Sequence, residues 1–223
     1  RHPTLGAVSP SVFVPLAEQS GLMRTLTDWA LDRGIAQLAE WLRAGLDLYL
    51  ALNVAGIDLD ATLEQRLRTI AQRHGVPLDR IELEFTESTA IHHDEVTREV
   101  LGALRRAGVG IAIDDFGIGY SNLDALRRMP ATTLKIDQSL VRGLDTHPHD
   151  AAIVRTMTAL GHDLGFRVVM EGVENPGVFA TARDFGCDLV QGFHLARPLP
   201  AAAVPYWVRE FNAHGNPATT IKP

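Results

Sequence analysis

The chain has 223 residues, of which 46% are hydrophobic and 22% charged, and its formal net charge is −6 with histidine neutral. This composition is ordinary for one globular domain, and the acidic balance argues against binding a DNA or RNA polymer through a basic surface. The single cysteine, Cys187, excludes an internal disulfide and a cysteine zinc cluster.

No signal peptide is visible, and no apolar run approaches the length of a membrane-spanning helix. We therefore expect a cytoplasmic domain without membrane contact of its own, which leaves open a membrane anchor elsewhere in a longer parent protein. The chain starts at Arg1 rather than at Met, and we expect a cut or processed N-terminus.

Predicted strands and helices alternate along the chain, with glycine ending most of the helices. Strands are predicted at 48–54, 81–86, up to Asp114–Asp115, 132–137, 166–170 and 189–190. Helices are predicted at 9–18, 22–44, 61–74, 94–107, 121–128, 150–164, 178–185 and 201–213. This alternation is typical of a parallel α/β protein. Since no linker divides the chain, we expect one domain over residues 1–213 and a polar tail over 214–223.

The most informative stretch is the apolar run that ends in Asp114 and Asp115 and turns at Gly117 and Gly119. This pattern predicts a buried strand followed by a flexible loop. Adjacent strand residues point to opposite faces, so both carboxylates can reach one cation only where the strand ends and the chain begins to curl. The alternatives are a solvated loop start and an aspartate that caps the next helix.

Other polar residues also fall at or near the C-terminal ends of predicted strands: Asn53, Glu84, Lys135, Glu171 and Gln191. In a (β/α) barrel these ends converge on one face, where the active site lies. In an open sheet they would spread along an edge, and only those near a switch point would meet. One polar residue on every strand therefore favours the barrel.

Carboxylate and amide oxygens, without histidine or cysteine, suit hard cations such as Mg²⁺ or Mn²⁺. Four or five carboxylates would need a charge of about +4, so two divalent ions are more natural than one, and paired ions are typical of phosphodiester hydrolysis. Lys135 could hold the nucleophilic water or stabilise phosphoryl charge, or it could form a plain salt bridge. His92 and His93 are predicted to face solvent, and His194 could stack near a ligand.

A series of motifs in order resembles the EAL domain family, bacterial phosphodiesterases that open cyclic di-GMP to linear pGpG. The motifs cover about the first two hundred residues: Ser9-Pro10 with Phe13 to Glu18, Leu52-Asn53-Val54, Glu84 to Ser88, Asp114 to Ser121, Leu134 to Asp137, Glu171 to Glu174, Gln191-Gly192-Phe193 and Arg197-Pro198-Leu199. The resemblance implies a TIM-like barrel with two Mg²⁺ or Mn²⁺ ions at its C-terminal face.

The resemblance also implies roles for individual residues. Asn53, Glu84 and Asp114 would bind one metal, and Asp114, Asp115 and Glu171 the other. Glu171 is alternatively a general base, although we favour the ligand role. Lys135 would lie at the nucleophilic water. Loop support or substrate binding is expected of Glu87, Gln191 and Asp137. By the same analogy we expect a homodimer and an upstream sensory or GGDEF domain.

The chain departs from the family pattern in two places. Ile118 stands where the family has Thr or Ser, which we expect to tune activity. The Glu-Ala-Leu motif, with its metal-binding Glu and phosphate-binding Arg, would lie before Arg1 and is absent. About six strands are predicted where eight are needed, so we expect a barrel that lacks about two N-terminal strands.

These departures leave alternatives open. A truncated hydrolase would show little or no turnover as the 223-residue chain, whereas a degenerate domain would bind cyclic di-GMP as a sensor without cleaving it. A third alternative is a barrel enzyme acting on another phosphate ester.

Overall fold

A computed structural model describes residue 4 and residues 6–91, 95–119 and 123–213. The helices are α1 (Pro10–Gln19), α2 (Met23–Arg43), α3 (Leu63–His74), α4 (Glu87–Ile91), α5 (Glu95–Arg106), α6 (Leu123–Arg128), α7 (Gln138–Val141), α8 (Pro148–Asp163), α9 (Pro176–Asp184) and α10 (Val204–Ala213). The strands are β1 (Leu50–Asn53), β2 (Ile81–Thr86), β3 (Gly110–Phe116), β4 (Thr133–Ile136), β5 (Arg167–Met170) and β6 (Leu189–Val190). Short 3₁₀ turns occur at Gly56–Asp58, Leu78–Arg80 and Ala201–Ala203.

All six predicted strands and all eight predicted helices are present, with ends displaced by a few residues. The short helices α4 and α7 were not predicted, because one helical turn leaves no apolar periodicity to read. His92, His93 and the tail 214–223 lie outside the described residues, so their predictions stay untested. The domain boundary at residue 213 likewise stays a prediction.

The six strands form one parallel sheet in the order β1 to β6, so that each strand pairs with its neighbour in sequence. The sheet curls into a half-barrel with helices on its outer side, which confirms the α/β class and the barrel type of curvature. The indole Nε1 of Trp41 in α2 donates a 3.3 Å hydrogen bond to the carbonyl of Ala201, beyond β6. The two ends of the sheet are therefore tied at the periphery.

The two faces of the sheet differ in chemistry, as strand β2 illustrates. Ile81, Leu83 and Phe85 belong to the large apolar cluster beneath the helices. Glu82 and Glu84 alternate with them and are buried as well. Because side chains alternate along a strand, the convex face of the sheet is apolar and the concave face carries polar groups. A second apolar cluster lies beneath α7, α8 and α9.

No helix in the described ranges has the length and apolar character needed to cross a membrane.

The reactivity of the Cys187 thiol measures how closely the protein is packed around β6. This side chain is 1% exposed, and burial raises the pKa of the thiol to about 12. Since the thiolate is the reactive form, we expect no measurable reaction of the folded protein with a disulfide reagent at pH 8, and one thiol per chain after denaturation. Rapid reaction of the folded protein would show that the packing over β6 opens readily.

Candidate metal centre and active site

The centre of the candidate site is the ammonium group of Lys135, which is buried among three carboxylates. Its Nζ lies 2.9 Å from Glu84 Oε1, 2.9 Å from Asp114 Oδ1 and 2.7 Å from Glu171 Oε1. Lys135 is only 5% exposed. Neighbouring members of this group are at least 21 positions apart in sequence, so the fold brings them together.

Each member of the group comes from a different strand. Glu84 lies in β2, Asp114 in β3 and Lys135 in β4, while Glu171 directly follows β5. All four lie towards the C-terminal ends of parallel strands, where the sheet presents its active-site edge in barrels of this kind. The structure therefore brings together four residues that were predicted from their positions at strand ends.

The adjacent acids Asp114 and Asp115 both reach this edge because the backbone departs from regular strand geometry between them. Asp115 has φ +56°, the left-handed region that aspartate tolerates better than most residues. The pairing of β3 with β4 shifts register between Ile113 and Phe116 at the same point. Ligand oxygens of Asp114, Asp115 and Glu171 lie within 4.8 Å of one another.

Burial and neighbouring negative charge raise the pKa values of acids in the site. Burial raises the pKa of Glu84 and of Glu171, and the hydrogen bond from Lys135 offsets this only in part. For Asp115, burial and the neighbouring charge of Asp114 raise the pKa. Burial opposes the charged form of Lys135, but hydrogen bonds to Glu171, Asp114 and Glu84 outweigh it and raise the pKa. The site therefore holds more negative charge than one ammonium balances.

Asn53 and Gln191 flank the cluster at the two outer strands. Asn53 ends β1 directly opposite Glu84 in the parallel register, and its side chain is exposed. Gln191 follows β6, and its carbonyl accepts a 3.0 Å hydrogen bond from Val173 N–H, two residues beyond Glu171. A Cβ on Gly192 would lie 2.1 Å from the carbonyl oxygen of Val173, so only glycine permits this close approach.

Two further acids lie immediately behind the cluster. Glu87, at the start of α4, is buried and accepts a 3.0 Å hydrogen bond from Gly117 N–H, just after the aspartate pair. Asp137 is buried directly after β4 and caps α7 by accepting a 2.7 Å hydrogen bond from Ser139 N–H, and, in addition to burial, its nearby charge raises the pKa of Asp115. Both positions suit support of the loop and of Asp115. For Asp137 this contact was not foreseen, although an acid between a strand and a helix is a capping signal.

The ring of His194 packs on Phe179 of α9, with centroids 5.5 Å apart. Whether His194 also stacks near a ligand stays a prediction. Ile118 is largely exposed beside Gly117. Tyr120 and Ser121, which extend the aspartate motif, lie outside the described residues.

The residues present fit a hard divalent cation. Asp114, Asp115 and Glu171 offer three carboxylate oxygens at mutual distances that one Mg²⁺ or Mn²⁺ can bridge. Glu84 and Asp114 share the Lys135 ammonium, and Asn53 lies opposite Glu84 in the strand register, so further oxygen donors adjoin this group. The raised pKa values show that these carboxylates are not fully balanced by the one ammonium that they share. Binding of a cation would stabilise their charged forms.

Comparison with known proteins finds relatives that match most of the chain. A cyclic di-GMP phosphodiesterase, PA2567 of Pseudomonas aeruginosa, is 42% identical over 211 residues, covering 94% of this chain and 36% of that protein. The chain spans about a third of the length of the curated relatives that it matches.

Solved structures give the same picture. The PaMucR phosphodiesterase in complex with c-di-GMP superposes with a TM-score of 0.86 at 40% identity, covering 91% of this chain and 83% of that one. The EAL domain of Mycobacterium smegmatis DcpA superposes with a TM-score of 0.79 at 34% identity, covering 85% and 86% of the two chains. Residues 1–198 match the EAL domain. The chain therefore belongs to the EAL domain family.

Proposed function

We propose that this domain hydrolyses cyclic di-GMP to linear pGpG, using two divalent ions, Mg²⁺ or Mn²⁺, at the C-terminal edge of the sheet. The observation that carries the proposal is the cluster of Glu84, Asp114 and Glu171 around the buried ammonium of Lys135. Asp115 lies beside it and forms a three-carboxylate group with Asp114 and Glu171. Relatives that are named as cyclic di-GMP phosphodiesterases support the choice of substrate.

Within this proposal, the residues of the candidate site have separate tasks. Asp114, Asp115 and Glu171 would hold one cation, and Asn53, Glu84 and Asp114 the other. Bound cations of this kind polarise the phosphoryl group and favour ionisation of the attacking water.

Lys135 contributes a fixed positive charge next to the acids, where it can orient the attacking water and stabilise charge that develops on the phosphoryl oxygens. Glu87 supports the loop after β3 through Gly117 N–H, and Asp137 supports the region of Asp115 from the N-terminus of α7. Gln191 borders the substrate position.

The proposal extends to the assembly and location of the domain. The relatives are about three times longer than this chain, and one is named as a bifunctional diguanylate cyclase/cyclic di-GMP phosphodiesterase. We propose that the domain acts as a homodimer in the cytoplasm, within a protein that also carries a sensory or GGDEF domain.

The direct test is to incubate the full-length protein that contains this domain with cyclic di-GMP and Mn²⁺, and to follow products by chromatography. We expect pGpG from the wild type and none from Glu171→Gln. Lys135→Met should reduce turnover by about 10²- to 10³-fold, as for loss of other groups that stabilise phosphoryl or oxyanion charge.

The matched control is Glu64→Gln, which removes an acid from an i,i+4 ion pair with Arg68 on α3, remote from the site. It should keep wild-type turnover. Binding of cyclic di-GMP without any product in the wild type would contradict hydrolysis and identify a sensor.

The ion pairs of Lys135 predict a large stability effect. Lys135→Met leaves buried carboxylates without their cation, so in EDTA we expect the free energy of unfolding to fall by about 3–5 kcal/mol. Urea denaturation measures this loss. Arg73→Met, which breaks an exposed pair with Asp32, should cost no more than about 1 kcal/mol. Equal losses in the two variants would show that the buried cluster contributes little.

Metal binding predicts a thermal shift that depends on Asp115. Mn²⁺ at a hundredfold excess over its dissociation constant stabilises a protein by about 2.7 kcal/mol, or about 5–10 °C in the melting temperature of a domain of this size. We expect this shift in the wild type and in Asp184→Asn, an exposed control.

Asp115→Asn should lose most of the shift, because asparagine keeps the left-handed backbone but not the charge. An undiminished shift in this variant would exclude Asp115 as a ligand.

A further inference from the structure

A second polar network lies on the concave face of the sheet, nearer the N-terminal ends of the strands than the acidic cluster. Thr133 Oγ1 donates a 2.6 Å hydrogen bond to Glu82 Oε2, and Arg167 Nη2 donates to the same oxygen at 2.9 Å. Arg167 Nη2 also lies 3.1 Å from Thr133 Oγ1, which closes a triangle. Glu82 is 4% exposed and Thr133 is fully buried, whereas the Arg167 side chain is half exposed. Sequence reasoning did not identify any of these residues.

The network links strands that are not neighbours. Glu82 lies in β2 and Arg167 in β5, with β3 and β4 between them. In a flat sheet, strands three places apart lie about 14 Å from each other, and side chains stand roughly perpendicular to the sheet. A 2.9 Å ion pair between them therefore requires the sheet to curl around this face.

Residues on β3 and just before β1 accommodate the network. Gly110 of β3 pairs with Glu82, and a Cβ at this position would lie 3.1 Å from the Glu82 side chain, tighter than ordinary contact. Tyr49, just before β1, presents its ring to the guanidinium of Arg167 at 5.8 Å. The network thus spans the concave side from β1 to β5.

Its members lie directly below the residues of the candidate site. Glu82 is two positions before Glu84 in β2, and Thr133 is two positions before Lys135 in β4. Since side chains two positions apart share a face, each lower residue sits one layer beneath a site residue. Arg167 is four positions before Glu171, two layers down on β5.

We propose that the ion pair between Arg167 and Glu82, braced by Thr133, acts as a strut that sets the spacing of the metal-binding carboxylates. By fixing the distance from β2 to β5, the strut holds Glu84 and Glu171 close enough to share the Lys135 ammonium and the cations. Arg167 and Glu82 are positioning residues, because each lies at least one layer beneath the acids of the candidate site. This inference rests on the proposed function only in taking the acidic cluster as a metal site.

The test compares Mn²⁺ affinity among strut variants of the full-length protein, measured by isothermal titration calorimetry well below the melting temperature. Arg167→Met should weaken Mn²⁺ binding by at least tenfold, because β2 and β5 are no longer tied. Arg167→Lys retains an ion pair with Glu82 and should stay within about threefold of the wild type.

A double variant separates the strut from an unpaired buried charge. Arg167→Met with Glu82→Gln leaves no isolated carboxylate and keeps a hydrogen-bonding partner for Thr133, so it should fold even where Arg167→Met does not. It should show the same loss of Mn²⁺ affinity. Arg73→Met makes the same chemical change at an exposed ion pair with Asp32 and should bind Mn²⁺ as the wild type does.

The outcomes distinguish the strut from the proposed reaction. Variants that melt at lower temperature but bind Mn²⁺ normally would overturn the strut and leave only a stabilising role. A wild type that binds no Mn²⁺ would contradict both the metal site and the strut. Binding of Mn²⁺ that depends on Arg167, without cleavage of cyclic di-GMP, would support the strut and contradict the proposed function alone.

Discussion

The burial of one ammonium group among several carboxylates is the constraint on which the site depends. Lys135 contacts three acids that come from three other strands or strand ends. Removing such charges from water is unfavourable, and their mutual attraction offsets this only when the charged atoms lie close together. A single positive charge does not neutralise Glu84, Asp114, Asp115 and Glu171 together. The arrangement is therefore stable enough to fold and still negative enough to attract divalent cations.

The curled sheet allows this arrangement because its two faces have opposite chemistry. The convex face of β2, with Ile81, Leu83 and Phe85, packs beneath the helices and supplies the hydrophobic stabilisation. The concave face holds the lower network around Glu82 and the upper cluster around Lys135. Each buried polar group in these two layers has a charged or hydrogen-bonded partner, as low-dielectric burial requires. Curvature and charge pairing thus support each other.

Much of the fold and part of the site could be predicted from the sequence. An apolar run that ends in a polar residue can be recognised in the sequence. This pattern identified the strand ends at Glu84, Asp114, Lys135 and Glu171. Barrel geometry then predicted that they converge.

Three features could not be read in this way. The left-handed backbone of Asp115 depends on the register shift between β3 and β4, which is a tertiary property. The contact of Arg167 with Glu82 joins residues 85 positions apart. The approach of Gly192 to Val173 depends on how two loops pack.

The most direct measurement of the central claim is anomalous diffraction from crystals of the protein grown with Mn²⁺. We expect an anomalous peak from an ion bound by the carboxylates of Asp114, Asp115 and Glu171, and a second peak beside Glu84 and Asn53. Crystals without a peak at this edge of the sheet, in which Lys135 still pairs with all three acids, would contradict that claim. The acidic cluster would then be a structural ion-pair network rather than a metal centre.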